Sequence, residues 1–203
     1  MKILYLDTET AGLDPKRNPA IQLSGIIEID GKVVKEFDYK IRHDMSKPNC
    51  IIDDKALEIN KITREELTDP SRLEPIEAYK KLKSQFLTYV DRYDKSDKMY
   101  LCGQNVHFDY GFLLELWKSQ GDDYLGSFIH HNKIDLIALT AAMRLAGKIV
   151  IPNMKLATLC EYFGLPAQTH DAMDDIRRTR EIFVSMIQSL RNSDLCLLSP
   201  ESH

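Results

Sequence analysis

The sequence has no CxxC pair. Its four cysteines (Cys50, Cys102, Cys160 and Cys196) lie far apart in 203 residues. That pattern excludes the paired ligand spacing of a structural zinc site and leaves reduced, mostly buried thiols as the expectation. No apolar stretch reaches membrane-spanning length, and the opening apolar run is too short and too acidic for a signal peptide. A cytoplasmic protein without a membrane partner is therefore expected. No long linker, low-complexity run or internal repeat divides the chain. Its length suits one α/β domain with a full core, over residues 1–191, and a short tail at 192–203. A basic surplus is also missing, since the formal net charge is -4. This argues against a protein that coats nucleic acid through a broad cationic surface. It does not exclude an enzyme that grips a few nucleotides, because carboxylates that hold metal count as negative until the cations bind.

What is present is an orderly alternation of elements. Residues 2–6 are apolar and β-prone, and 20–29 and 32–41 read as two further strands joined at Asp30-Gly31, a hairpin signal. Short helical pieces are expected at 53–60 and 63–67. A longer helix is expected over 74–93, where Tyr79, Leu82, Phe86, Val90 and Tyr93 recur at helical spacing. A strand at 98–102, a helix at 108–119, a short strand at 133–135 and a helix ending at Gly147 follow. A helix at 155–163 closes on Gly164, and the last helix spans 171–191. A meander followed by alternating strands and helices implies a mixed sheet with helices packed on it.

Four carboxylates sit where carboxylates are costly. Asp7 and Glu9 stand two residues apart at the end of the first strand, so on a strand they share a face and repel each other unless a cation lies between them. They could equally be solvated loop acids, if the strand has already ended. Asp109 falls, at about 100° per residue, within the apolar stripe of Phe112, Leu113 and Leu116. It is either a buried, compensated acid or an ordinary first-turn acid of its helix. In the last helix the stripe is Ala172, Ile176, Thr179, Phe183, Met186 and Leu190. Asp175 lies about 60° from its centre and Asp174 about 160° away, so Asp175 can reach a site beside the core and Asp174 faces solvent. Asp171 reads as an N-cap or first-turn acid. His170 precedes this helix, near enough to share a site with Asp175.

Three segments together resemble the DnaQ-like 3′→5′ exonucleases of the DEDDh type. They are Asp7-Thr8-Glu9-Thr10 with Gly12-Leu13, Asn105-Val106-His107-Phe108-Asp109 with Phe112-Leu113, and His170-Asp171-Ala172-Met173-Asp174-Asp175, which fits H-x-A-x-x-D. Asp135-Leu136, Lys155 to Leu159 and Phe163-Gly164-Leu165 are similar to the family as well. The likeness covers about residues 1–190. Ala11, Gln104 and Asn60-Lys61 depart from the pattern, the last standing where relatives often carry His-Gly.

The resemblance implies an RNase H-like fold, a mixed five-stranded sheet flanked by helices. It implies a metal-dependent exonuclease acting on the 3′ end of DNA, preferably single-stranded, and releasing nucleoside 5′-monophosphates. Two divalent cations, Mg²⁺ or Mn²⁺, would be held by Asp7, Glu9, Asp109 and Asp175, all hard oxygen donors. Asp7 would bridge both ions, Glu9 and Asp175 would complete the water-activating one, and Asp109 would hold the second. His170 would be the general base, with an unperturbed pKa of about 6.5 suited to neutral pH. Thr8, Thr10, Leu13, Ile62, Asn105 and Phe108 are the candidate nucleotide contacts, and Lys155, Arg177 and Arg178 candidate phosphate contacts. The partners expected are a nucleic-acid 3′ end and a DNA polymerase. An exoribonuclease is the alternative, since the catalytic set does not read the 2′-hydroxyl. A non-catalytic nucleic-acid-binding or polymerase-scaffolding module is the more distant one.

Overall fold

The computed structural model describes residues 1–47, 50–166 and 171–191. The strands are β1 (Lys2–Thr10), β2 (Ala20–Ile29), β3 (Lys32–Lys40), β4 (Met99–Gly103) and β5 (Ile134–Asp135). The helices are α1 (Asp54–Asn60), α2 (Pro75–Tyr89), α3 (Val106–Ser119), α4 (Leu136–Leu145), α5 (Leu156–Tyr162) and α6 (Ala172–Arg191). The sheet order is β3-β2-β1-β4-β5. β1 pairs antiparallel with β2 and β2 with β3, whereas β1–β4 and β4–β5 are parallel. This is the mixed five-stranded sheet of an RNase H-like fold. No helix among the described residues is long and apolar enough to cross a membrane.

Strand alternation sends β1 into two cores. Leu4 and Leu6 pack with Leu82 and Phe86 of α2 and with Val106, Leu113 and Trp117 of α3. Ile3 and Tyr5 pack on the opposite face with Leu136 of α4, Leu159 of α5 and Ile176, Phe183 and Met186 of α6. Burial of these aliphatic and aromatic side chains, at about 1.5–3 kcal/mol each, seats helices on both faces. The Asp30-Gly31 hairpin has both residues at positive φ, 50° and 82°, the twist a two-residue turn needs.

Several boundaries differ from the sequence expectation, and the helical piece expected at 63–67 is a short 3-10 turn at Glu66–Thr68. β1 runs on to Thr10 rather than ending at Leu6, because residues 7–9 continue the β2 ladder as Asp7↔Ser24, Thr8↔Leu23 and Glu9↔Gln22. α2 stops at Tyr89, not Tyr93. Aspartates capture the backbone just beyond: Asp97 accepts from Asp91 N at 2.9 Å and Asp91 from Tyr93 N at 3.0 Å. Tyr93, expected on the apolar face, is 86% exposed. α3 starts two residues early, at Val106, because Asn105 turns the chain in the left-handed region (φ 58°). Cys102 and Cys160 are buried free thiols and Cys50 is half-buried, while Cys196 lies outside the described residues.

Candidate active site at the end of the first strand

β1 outlasts one of its neighbours. Its parallel pairing with β4 ends at Tyr5↔Cys102, while residues 6–10 stay paired to β2. At that point β4 turns away into α3 and leaves a crevice at the carboxyl ends of two parallel strands, the position where open α/β sheets place ligands. Gly103 permits the turn: a Cβ there would come within 3.0 Å of the Leu6 carbonyl oxygen.

Alternation decides which side chains enter the crevice. Asp7 and Glu9 continue the Ile3–Tyr5 face, toward α6, and Thr8 continues the Leu4–Leu6 face, toward α3. Thr8 meets α3 directly, as its amide and its hydroxyl both donate to Asp109 Oδ1, at 2.9 and 2.8 Å. Asp109 is 3% exposed and Asp175 is 4% exposed. Asp171 caps α6 by accepting from Asp174 N at 3.1 Å.

The acids are close enough to disturb each other's protons. Burial, then the charges of Asp109, Glu9, Asp175 and Asp171, push the Asp7 carboxyl well above the usual range. Burial, then Asp175 and Asp171, raise Glu9 to about 7. Burial raises Asp109 to about 7 against the lowering effect of the two Thr8 hydrogen bonds. The structure thus brings together the four carboxylates singled out in the sequence, from β1, α3 and α6. It adds Asp171 to the field, which its N-cap role alone did not announce. His170 lies outside the described residues.

Among the described residues, no three His, Cys, Asp or Glu side chains stand together as a group ready to hold a metal ion. The donor set nonetheless fits hard divalent cations. It is all oxygen, combines buried Asp109 and Asp175 with half-buried Asp7 and Glu9, and carries mutual repulsion that a cation would relieve.

The other sequence candidates divide. Thr10 is buried and its hydroxyl donates to the Gly12 carbonyl at 2.7 Å, while its own carbonyl accepts from Asn60 Nδ2 at 2.9 Å. The hydroxyls of Thr8 and Thr10 are therefore both engaged within the protein. Asn105 is exposed at the α3 N-terminus, its amide donating to Asp135 Oδ1 at 3.2 Å. Leu13 is 82% exposed in the bend that follows β1. Ile62 packs beside Ala11, Ile21, Leu57 and Leu67. Phe108 is half-buried against Phe112, with ring centroids 4.9 Å apart, and Phe112 is core. Arg177 and Arg178 of α6 are both engaged with acids of the protein. Arg177 pairs with Glu36 of β3 at 2.7 Å, and Arg178 is 9% exposed beside Asp175. Asp174, expected on the solvent face, is half-buried.

A mixed five-stranded sheet with helices on both faces and acids gathered at the carboxyl end of β1 defines the class as an α/β protein of RNase H-like fold. The chain belongs to the exonuclease family, whose family model matches residues 4–183. Among curated proteins it is similar to the PolC-type DNA polymerase III of Thermotoga petrophila and of Thermotoga maritima, 28% identical to each over 199 residues. The match spans 97% of this chain but 12% of those polymerases. Among solved structures, E. coli exonuclease I in its zinc-bound complex with single-stranded DNA, and in complex with a dT13 oligonucleotide, each superimpose with a TM-score of 0.75. Both are 20% identical, over 94% of this chain and 41% of that one, a likeness of fold.

Proposed function

We propose that this domain removes nucleoside 5′-monophosphates from the 3′ end of DNA, preferably single-stranded, with two Mg²⁺ or Mn²⁺ ions held by Asp7, Glu9, Asp109 and Asp175. The observation that carries the reading is that β1, α3 and α6 bring these four acids to one end of the sheet, with Asp109 bonded to Thr8 between Asp7 and Glu9, and Asp7 within the field of the other three. The cations, when bound, supply an activated water, charge neutralisation on the phosphate and help for the leaving oxygen. The chain's own contributions are distinct. β1 presents Asp7 and Glu9 on one face, Thr8 holds one oxygen of Asp109, and α6 brings Asp175 from the other side. His170 takes the proton of the attacking water, as a neutral imidazole near pH 7. The crevice admits a strand end and leaves Leu13 and Asn105 at its rim to meet the terminal nucleotides. A single strand enters most easily, because a duplex end would first have to be melted.

DNA is preferred over RNA because the curated relatives are DNA polymerases and the superimposable exonuclease I structures contain DNA oligonucleotides. A DNA polymerase is the proposed protein partner on the same ground. The test is a product ladder from 5′-labelled DNA and RNA with Mg²⁺, Mn²⁺ or chelator. Single-nucleotide shortening of DNA is expected with either ion and none with chelator. Asp7→Ala and Asp175→Ala should each lower the rate by more than about a hundredfold, beyond what loss of an outer partner costs. Much faster RNA cleavage would overturn the DNA preference, and unimpaired alanine variants would overturn the site.

A further inference from the structure

Arg178 occupies an unusual place for a cation. Its side chain is 10% exposed, one helical turn beyond Asp175. Nη1 donates to Asp175 Oδ1 at 3.1 Å, and Nε donates to the Pro166 carbonyl oxygen at 3.1 Å. Asp174 Oδ2 lies 3.9 Å from Nη2. The guanidinium is thus anchored to the segment that leaves α5 and, through a separate nitrogen, grips the one acid that α6 contributes to the crevice. The guanidinium sets a positive charge among acids that repel one another. The planar fork also fixes direction, because two bonds from different nitrogens leave the side chain a single arrangement.

We infer that Arg178 is a positioning residue for Asp175: it fixes one carboxylate oxygen and so sets how Asp175 is presented to the divalent cation of the site. This inference rests on the reading of Asp175 as a metal-holding acid. An outer partner of this kind is worth about 10–100-fold in metal affinity or activity. Neighbouring arginines show that the role is not generic to this helix. Arg177 and Arg180 reach away to Glu36 and Glu28 on the sheet, at 2.7 and 2.6 Å.

The test compares Arg178→Met and Arg178→Lys with the native full chain. Mn²⁺ binding to the substrate-free protein is followed by titration calorimetry, and kcat and KM are measured on single-stranded DNA. Arg178→Met keeps bulk and loses the bonds to Asp175 and Pro166. It should weaken Mn²⁺ binding and lower kcat, each about tenfold, with KM changed less than twofold. Arg178→Lys keeps the charge but has no fork, and should recover less than half of the loss. Full recovery by lysine would mean that charge alone matters and would overturn positioning. A raised KM with unchanged kcat and Mn²⁺ binding would make Arg178 a phosphate contact instead. Native Mn²⁺ binding and native kcat in Arg178→Met would reduce it to helix packing. Should Arg178→Met not fold, Arg178→Lys decides: native Mn²⁺ binding and kcat overturn the inference, and weakened values at an unchanged unfolding midpoint support it. The parallel Asp175→Ala variant separates the two levels, since an active Asp175→Ala sinks the reading of the site itself.

Discussion

Thr8 stands between the two acids of β1 yet points away from both, and its two hydrogen bonds to a single oxygen of Asp109 make it the hinge between β1 and α3. Valine in its place keeps the shape and the amide bond and removes the hydroxyl. A buried carboxylate that loses a donor is left less satisfied by about 1–3 kcal/mol, and its proton affinity rises. Thr8→Val should therefore lower kcat about tenfold and move the acid limb of the pH–kcat profile to higher pH, while Thr8→Ser stays near native. An unmoved acid limb would sever Thr8 from Asp109. Period-two and helical arithmetic made Asp7, Glu9, Asp109 and Asp175 legible as misplaced acids. The same arithmetic put Thr8 on the opposite face without saying what it would meet, because its partner lies 101 residues away. Arg178 was harder still. A charged residue on a helix looks solvated until the segment at Pro166 covers it.

Among the elements, α1 ends on a conformation that its sequence resists. Lys61, its C-cap, has φ 54° and ψ 40°, and its amide returns to the Glu58 and Leu57 carbonyls. Left-handed backbone costs a residue with a Cβ roughly 1–2 kcal/mol, which is why glycine is usual there. Lys61→Gly should therefore raise the urea midpoint, by about 1 kcal/mol of stability, without altering cleavage. A lowered midpoint would show that the lysine side chain holds α1 in some other way. The position was legible only as a mismatch with the related exonucleases. The hairpin at Asp30-Gly31 was legible outright, since its dipeptide leaves few alternatives. The early stop of α2 was not, because the apolar period ran on through Val90 and Tyr93 while aspartate-capped turns took the backbone instead.

For the molecule as a whole, the carboxylate corner sets a pH dependence opposite in sign to that of ordinary ion pairs. Glu9 and Asp109 both titrate near 7 when folded, well above the ordinary carboxyl range. Between about pH 4 and 7 the native state then holds more protons than the unfolded chain, so these groups make stability fall as pH rises across that window. In chelator, the thermal midpoint of the native chain should decline from pH 5 to 7 more steeply than that of Glu9→Gln. Mn²⁺ should restore the loss at pH 7 and do little at pH 5, where protons already neutralise the acids. Equal slopes for the two proteins would remove the basis for this behaviour. The fold class and the order of elements were readable from patterning. The crevice was not, since it arises from a length mismatch between two strands nearly a hundred residues apart.

The overhang of β1 also carries a risk of parity. A slip of one residue against β2 would rotate both acids toward α3 and turn Thr8 toward α6. The ladder from Lys2↔Ile29 to Glu9↔Gln22 resists such a slip, and the irregularity between Glu9 and Thr10 lies beyond the last acid. Insertions in the loops that border the crevice would reshape its rim and leave the acids where they stand. A single-residue deletion upstream in β1 would break the parity between the acids and the two cores that Ile3, Leu4, Tyr5 and Leu6 fill.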